Sequence, residues 1–365
     1  MLLFRDMRPR VGLVALLLLG AGVAHAARPA PTLARREGQK PGIIATLGRD
    51  PSAARGLVQA GAEVIRLNLS HGNARETRAK MVAIADARRA AGRHVPVLAD
   101  LPGGKIRTGI VPGGGTFELA PGAPFELAFG ARVPTTQRGA WVAYRTLPGH
   151  AKVGDVVQID DGRIELAVTK VHGERIETTV QRGGTLRSRA GLSLKDKEVP
   201  FPSMTSKDRR KLKLALEHGV DWIGVSMVQG PQHVNAVRRA LVRAGRPDVK
   251  VIAKIESWSA IDNLDAILDV SDGVMIARGD LGTAVGGELV RVQALIAARA
   301  RAKGKPFIAA TNFLDAMIDG KPASAHNRAD VATAVGQRPD WFMLNETALA
   351  PRPVDVVKTL RGMLP

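Results

Sequence analysis

Short apolar runs alternate with longer amphipathic segments along most of this chain. Each run is four to eight residues of mainly Val, Ile, Leu, Ala and Phe, and a segment with helical periodicity follows it. A strand followed by a helix, repeated many times, predicts a parallel sheet covered by helices. Eight such units predict a closed (β/α)8 barrel, an α/β fold of the TIM type. The eight runs lie at 42–48, 63–70, 94–101, 221–228, 249–256, 272–279, 305–312 and 340–347.

The rhythm is interrupted once, after the third run. Between about residues 110 and 201 no long helical period occurs, and short alternating runs are separated by Gly and Pro instead. This pattern is typical of a small all-β unit. We therefore predict a first barrel part at 42–109, an inserted β-rich lid at 110–201 and a second barrel part at 202–365.

The first 41 residues do not follow either pattern. A basic start, an apolar run at 11–24 and the small-x-small sequence Ala24-His25-Ala26 have the form of a secretory leader at 1–26, followed by a Pro/Ala-rich linker at 27–41. The alternative is a misassigned start, with the true chain beginning near Leu33. The first reading predicts a periplasmic or secreted protein and the second a cytoplasmic one, so the location stays open.

Composition narrows the range of partners. The chain has 365 residues, a formal net charge of +19 and no cysteine, which excludes disulfides and thiolate metal sites. Its arginines are scattered through helices and only 4% of residues are aromatic, so we do not expect nucleic-acid binding. The same positive field would attract a phosphorylated small molecule. We expect no membrane association of the mature chain.

Polar residues stand at the carboxyl end of every predicted barrel strand, where barrel enzymes carry their active sites. Lys254 and Glu256 interrupt an apolar run, and burying either charge without a partner would be costly. Together with Asp280 they predict a site for a hard cation and an anionic substrate. The full set is Thr46, Arg66, Asn68, Ser70, Asp100, Ser226, Lys254, Glu256, Asp280, Thr311, Asn345 and Glu346.

Several motifs occur together in one order. The sequence reads RLNLSHG at 66–72, LADLPGGKIRTG at 98–109, GGTLRSRAGLSL at 183–194, AKIES at 253–257 and SDGVMIARGDLG at 271–282. In these motifs and in their spacing, the chain resembles the pyruvate kinase family along nearly its whole length after the leader. The resemblance implies transfer of a phosphoryl group from phosphoenolpyruvate to ADP, which gives pyruvate and ATP.

The resemblance also implies roles for individual residues. Glu256 and Asp280 would hold Mg²⁺, with Mn²⁺ as an alternative, and Lys254, Arg66 and Thr311 would be catalytic. Lys254 would neutralise the phosphoryl group in flight, and Thr311 would lie beside the enolate. The residues expected to contact phosphoenolpyruvate are Arg66, Ser226, Lys254, Gly279, Asp280 and Thr311. The residues expected to contact the nucleotide are Thr46, Asn68, Arg107 and Arg189.

The region that binds K⁺ in many family members departs from the common pattern. It comprises Asn68, Ser70, Asp100 and the next position, which is normally Thr and is Leu101 here. A Glu that accompanies the arrangement is replaced by Lys105. The ammonium of Lys105 would supply the positive charge of K⁺ against Asp100 and the substrate phosphate. We therefore expect activity without K⁺.

Other departures fall on the nucleotide side and on the subunit contact. The lysine of the lid motif falls on Ala190, and Arg189 beside it is its candidate substitute. The loops at 323–327 and 345–347 and the sequence TLGR also differ from the family pattern. The chain stops after the eighth barrel helix, so we expect no sugar-phosphate allostery of the kind the family's C-terminal domain provides. A homodimer through the barrel is the expected assembly.

Two other functions fit part of the pattern. One is a Mg²⁺-dependent carbon–carbon lyase or aldolase that stabilises an enolate on a related barrel. The other is an exported pseudoenzyme that binds an anionic ligand, which the leader and Ala190 favour. Intact Lys254, Glu256 and Asp280 argue against the pseudoenzyme.

Overall fold

The structure of the protein is a computed structural model that describes residues 31–35, 38–130, 132–160, 162–310 and 312–365. The leader predicted at 1–26 lies outside the described residues, as does Thr311. The strands are β1 Gly42–Thr46, β2 Val64–Asn68, β3 Val97–Asp100, β4 Thr116–Leu119, β5 Pro124–Ala128, β6 Gly139–Trp141, β7 Val156–Ile159, β8 Ile164–His172, β9 Arg175–Arg182, β10 Gly184–Arg187, β11 Leu192–Leu194, β12 Trp222–Val225, β13 Lys250–Ile255, β14 Gly273–Ala277, β15 Phe307–Ala310 and β16 Trp341–Leu344.

Eight of these strands close into a parallel barrel in the order β1-β16-β15-β14-β13-β12-β3-β2. Neighbouring strands pair in parallel all the way round, and β1 closes the ring on β16 with Gly42 opposite Trp341. Nearly every barrel-strand residue is buried, because one side faces the barrel interior and the other faces the helices. The predicted (β/α)8 barrel is confirmed.

Helices form the outer layer. They are α1 Ala53–Gln59, α2 Ala74–Ala91, α3 Ser206–Glu217, α4 Pro231–Arg243, α5 Trp258–Asp262, α6 Leu264–Val270, α7 Arg278–Val285, α8 Leu289–Ala302, α9 Ala325–Gly336 and α10 Pro353–Met363. Local sequence fixes several of their starts. Thr205 and Asp208 form a capping box at α3, since each side chain accepts from the other residue's backbone N–H.

The lid is a separate β structure with its own core. Strands β11-β7-β8-β9-β5-β6 form one sheet, and β10 pairs with β4 in a second. Phe125, Leu127 and Phe129 are among the buried residues of a hydrophobic cluster that contains no barrel-strand residue. The lid therefore packs around its own apolar side chains and joins the barrel through the segments on either side of it.

The amino-terminal end of the barrel is closed by the chain that leads into β1. Leu33 is buried among inward-facing strand residues such as Trp222 and Trp341. The indole N–H of Trp222 donates to the Pro31 carbonyl at 2.9 Å, and that of Trp341 donates to the Leu33 carbonyl at 2.7 Å. The two indole rings meet edge to face at 5.4 Å. Part of the predicted linker is thus a structural component of the barrel base.

One stretch of the described chain, Arg278–Ala302, is long and apolar enough by composition to cross a membrane. It comprises α7 and α8, which pack against β14 and β15 of the barrel. Gly286 interrupts it with a backbone φ of 56°. Residues such as Val292, Ile296 and Ala300 are buried by this packing, and Val290 and Leu295 remain exposed.

Candidate active site

The barrel strands end sooner than the apolar runs suggested. β13 ends at Ile255, one residue before Glu256, and β14 ends at Ala277, so Gly279 and Asp280 lie in the first turn of α7. The chain must leave the sheet at these positions. The polar residues predicted at strand ends therefore lie at or just beyond the rim, where their side chains can converge over the barrel mouth.

Arg66 and Asp100 form a buried ion pair across β2 and β3. Arg66 Nε and Nη2 donate to Asp100 Oδ2 at 3.0 and 2.6 Å. Arg66 Nη1 donates to Thr46 Oγ1 and to Asn345 Oδ1, both at 3.1 Å. These four contacts fix the plane of the guanidinium, so that it is preorganised toward the barrel mouth.

Lys254 is the hub of the site. Its Nζ lies 2.9 Å from Glu256 Oε1 and 3.4 Å from Asp100 Oδ2, and it donates to Ser226 Oγ at 2.7 Å. Burial alone would lower its pKa, but the charges of Asp100 and Glu256 outweigh burial and raise the pKa of Lys254 to about 12. The ammonium is therefore a permanent positive charge in a water-poor site.

Asp100 stays ionised by the same logic. Burial would raise its pKa, yet the Lys254 ammonium and the Arg66 guanidinium hold the pKa of this carboxyl below its usual range. Ser226 Oγ donates to Asp100 Oδ1 at 3.3 Å and completes the network. One carboxylate thus orients two cations that point to the same opening.

At Glu256 the effect of burial on the pKa outweighs that of the neighbouring ammonium. Burial raises its pKa, Lys254 opposes the rise, and the negative charge of Asp280 adds to it. Its Oε2 accepts the backbone N–H of Met227 at 2.5 Å, and Met227 adopts a left-handed φ of 58° that directs this N–H. A carboxylate held in place beside a second one gains from a divalent cation between them.

Asp280 pairs with the lysine expected at the K⁺ region. Lys105 Nζ lies 2.6 Å from Asp280 Oδ1, and this charge holds the pKa of Asp280 down although burial would raise it. The sequence predicts that Lys105 supplies charge against Asp100; in the structure Lys105 pairs with Asp280, and Arg66 and Lys254 pair with Asp100. A Cβ at Gly191 of the lid would come within 2.8 Å of Lys105 Cε, so glycine leaves the space this side chain uses.

Glu256 and Asp280 fit a divalent metal as a pair. Their charges interact through the site, and the described residues contain no group of three or more His, Asp or Glu that could hold a metal. Two carboxylates leave most of an octahedral coordination sphere to water and substrate oxygens, which is how Mg²⁺ is commonly bound beside phosphates.

A second group of side chains lies toward the lid, and its members are basic residues. Burial and the positive charges of Arg107, Lys207, Arg189 and Arg49 lower the pKa of His71. Lys207 of α3 donates to the Ser70 carbonyl at 3.0 Å, and burial and neighbouring cations lower its pKa also. The cations gather at the β1, β2 and β3 ends of the barrel mouth.

The lid reaches this group through Arg189. Arg107 Nη1 donates to the Arg189 carbonyl at 3.0 Å, and Arg189 has a left-handed φ of 58°. Ala190 is buried in the lid's hydrophobic cluster, and its carbonyl accepts the N–H of Thr108. The positive charge of Arg189 lowers the pKa of His71, whereas Ala190 carries no charge.

The remaining predicted residues have mainly structural contacts. Asn68 Oδ1 accepts the backbone N–H of Ser70 at 3.0 Å, and Leu101 is buried with its N–H on the Gly224 carbonyl. Glu346 is buried, its Oε1 accepts the Leu314 N–H at 2.9 Å, and burial raises its pKa.

Met227, Lys207 and Arg49 escaped the sequence reasoning. Met227 acts through a backbone N–H, which no side-chain pattern reports. Lys207 lies in a strongly basic helix start that reads as an ordinary solvated face, and only its bond to the Ser70 carbonyl reveals its place.

Comparison with known proteins agrees with this geometry. Residues 38–357 match the family described as "Pyruvate kinase, barrel domain". The chain is 39% identical over 334 residues to a pyruvate kinase of Mycobacterium tuberculosis, covering 88% of this chain and 69% of that protein. It is 38% identical to a human pyruvate kinase, covering 87% of this chain and 58% of that protein. The chain belongs to the pyruvate kinase family.

A solved structure supports the same assignment. A pyruvate kinase from Cryptosporidium parvum superposes with a TM-score of 0.81 at 29% identity, covering 89% of this chain and 68% of that one. Pyruvate kinases are phosphotransferases that depend on a divalent metal. The matches support pyruvate kinase activity and do not favour the lyase, the aldolase or the pseudoenzyme.

Proposed function

We propose that this member of the pyruvate kinase family transfers a phosphoryl group from phosphoenolpyruvate to ADP, with Mg²⁺ as its metal. The observation that carries the proposal is the permanently charged Lys254 ammonium, fixed between Asp100 and Glu256 beside Asp280. Phosphoryl transfer needs little covalent chemistry from a protein and depends on positioning and charge stabilisation. This site provides both.

Arg66 and Lys254 would hold and neutralise the phosphoryl group. Both are preorganised by Asp100, so little reorganisation is required when charge develops during transfer. Ser226 accepts from Lys254 and keeps the ammonium on the substrate side of the network. Bound phosphate oxygens would take the open side of the Arg66 guanidinium.

Glu256 and Asp280 would be the protein ligands of Mg²⁺. The metal, when bound, would screen the negative charge of the phosphoryl group and the enolate oxygen. The Met227 N–H holds Glu256, and Lys105 holds Asp280, so each carboxylate is oriented by a separate contact. The first-turn N–H groups at Gly279 and Asp280 would bind the substrate carboxylate.

Thr311 would act beside the enolate carbon, where a proton must arrive after transfer. This role rests on the family resemblance, since Thr311 lies outside the described residues. In sequence it follows Ala310, which is the last residue of β15.

The basic group at the lid would bind the phosphates of ADP. Arg107 and Arg189 are joined across the hinge, and Lys207 and Arg49 add charge on the barrel side. Arg49 stands in the TLGR sequence, where the family pattern has Pro. It brings a cation on the nucleotide side while Ala190 removes one. Thr46 and Asn68 complete the nucleotide side of the proposal.

Lys105 would make K⁺ unnecessary. Its ammonium adds a fixed positive charge at Asp280, adjacent to where Mg²⁺ and the substrate would bind. The charge would thus enter the site through Asp280.

We also propose a homodimer through the barrel helices. Val290 and Leu295 of α8 are large apolar side chains left 61% and 44% exposed, which suits a partner surface. Light scattering after gel filtration would measure the assembly. A monomer at every concentration would contradict this part of the proposal.

The reaction is tested by following pyruvate release from phosphoenolpyruvate with Mg²⁺, in the presence and absence of ADP. The proposal expects pyruvate and ATP in equal amounts, and no pyruvate without ADP. K254M is the negative control, and K250M, at the opposite end of the same strand, is the matched one. ADP-independent pyruvate formation would favour a lyase, and no product from any substrate pair would favour a binding protein.

A further inference from the structure

A cavity of about 360 Å³ lies on the outer face of the barrel, between α3 and α4. Its walls include three arginines, Arg209 from α3 and Arg239 and Arg243 from α4, and its rim includes the segment Pro202–Met204. The volume is in the range of small-molecule pockets. None of these arginines belongs to the proposed catalytic site.

Within the described part of the chain, no acidic side chain pairs with the arginines of this cavity. Arg239 and Arg243 make no ion pair with any described residue, and Arg209 donates only to the carbonyl and sulfur of Met204. Helix α4 contains no Asp or Glu, and the nearest acid of α3, Asp208, is used in the helix cap. By contrast Arg238, adjacent in sequence, turns to the other side and pairs with Asp272.

The spacing of the α4 arginines makes this arrangement unfavourable without an anion. Residues four apart on a helix are neighbours, and like charges there are mutually destabilising. A third guanidinium across the groove adds to the repulsion. Guanidinium groups bind phosphate oxygens through paired N–H donors, so a ligand with phosphate groups would relieve the repulsion and satisfy the donors.

We propose that the α3–α4 cavity binds a small molecule carrying at least two phosphate charges. The cavity shares Pro202, Ser203 and Met204 with a smaller internal space that also touches Ser226 and Met227. Its occupant would therefore contact the segment through which the lid returns to the barrel, on the far side from two residues of the catalytic site.

Calorimetric titration with inorganic pyrophosphate, without divalent metal, tests the proposal. Wild-type protein should bind pyrophosphate at this cavity as well as at the basic group near the lid. In R239Q/R243Q the affinity of the α3–α4 cavity for pyrophosphate should fall about tenfold or more, because two charge-assisted contacts are lost. R210Q/K213Q is the matched control, since it removes the same charge from α3 positions that do not line the cavity.

The control variant distinguishes a specific pyrophosphate site from non-specific electrostatic attraction of pyrophosphate to a basic surface. Equal weakening in both double variants would mean that affinity follows net charge, and this would overturn the proposal. Unchanged binding in R239Q/R243Q would overturn it too. As an independent readout, pyrophosphate should slow amide hydrogen exchange at residues 203–204 in wild type and in R210Q/K213Q, and not in R239Q/R243Q. We expect the variants to fold, since the arginines removed from α4 are exposed. Thermal melts would check this.

Discussion

One half of the barrel mouth pairs opposite charges, most of them buried, and the other half gathers exposed cations. In the carboxylate half, Asp100, Glu256 and Asp280 are matched by Arg66, Lys254 and Lys105, with short contacts throughout. In the cationic half, the positive charges of Arg49, Arg107, Arg189 and Lys207 all act to lower the pKa of His71, together with its burial.

The difference teaches how each half depends on its ligand. A balanced set of charges can be buried and held rigidly before substrate arrives, which favours preorganised catalysis. An unbalanced set must remain partly exposed, so water screens its repulsion until an anion binds. The carboxylate half should therefore matter for folding and rate, and the cationic half for nucleotide affinity.

Removing the charge of Asp100 should have the largest effect of all. In D100N, Arg66 and Lys254 lose their shared buried partner, and we expect a loss of about 3–5 kcal/mol in the free energy of unfolding. Urea denaturation measures it. D355N, at an exposed ion pair on α10, is the control and should change stability by less than about 1 kcal/mol. Equal effects in the two variants would break the comparison.

Replacing Lys254 should act mainly on the reaction rate. K254M keeps an unbranched side chain one atom shorter and removes the charge that would face the phosphoryl group, so kcat should fall by about 10²–10³-fold, as for loss of one transition-state donor. Steady-state kinetics with phosphoenolpyruvate and ADP measures it. A fall in kcat of the same size in K250M would show that the charge position is irrelevant.

Replacing Arg107 should act on the nucleotide. R107Q removes one cation from the exposed half, and we expect the KM for ADP to rise about tenfold, in line with one charge-assisted hydrogen bond. Stability and the KM for phosphoenolpyruvate should stay near wild type. If the KM for phosphoenolpyruvate rises as much as that for ADP, the two halves are not separate in function.

The pH dependence of stability should report the lowered pKa of His71 in the cationic half. Because its pKa is lowered, the folded state binds fewer protons than the unfolded state below about pH 6.5, so its contribution to stability falls as pH decreases. H71N should lose less stability than wild type between pH 7.5 and 5.5, measured as urea midpoints. Bound ADP should raise the pKa and reduce the difference. Parallel curves for the two proteins would contradict this account.

The smallest effect should come from K⁺. Replacing tetramethylammonium by K⁺ should leave kcat of the wild type unchanged, since Lys105 already supplies a fixed charge at Asp280. K105Q should become dependent on K⁺. Strong activation of the wild type by K⁺ would remove Lys105 from its proposed role.

Most of the fold was accessible from the sequence because the barrel repeats one simple pattern. Apolar runs followed by amphipathic helices predict strands and their order, and polar residues at the run ends predict the active face. Lys254 and Glu256 could be recognised because charges inside an apolar run require partners. Strand ends were placed too late, since an apolar run does not show where the chain leaves the sheet.

The charge pairs of the site could be predicted from the sequence much less well than the fold. Lys105 follows β3 and pairs with Asp280 in the first turn of α7, and no spacing along the chain reveals this contact. The cationic half is assembled from the β1, β2 and β3 ends, the lid and α3, so its members are far apart in sequence. The Met227 contact depends on one backbone angle.

The base of the barrel sets a boundary for any processing of this chain. Cleavage after Ala26 would keep the carbonyls of Pro31 and Leu33, to which the indoles of Trp222 and Trp341 donate. A chain beginning at Leu33 would lose the acceptor of Trp222 and leave that indole N–H exposed to solvent or unsatisfied. Tryptophan emission would then report, without any assay of activity, which amino terminus a given preparation carries.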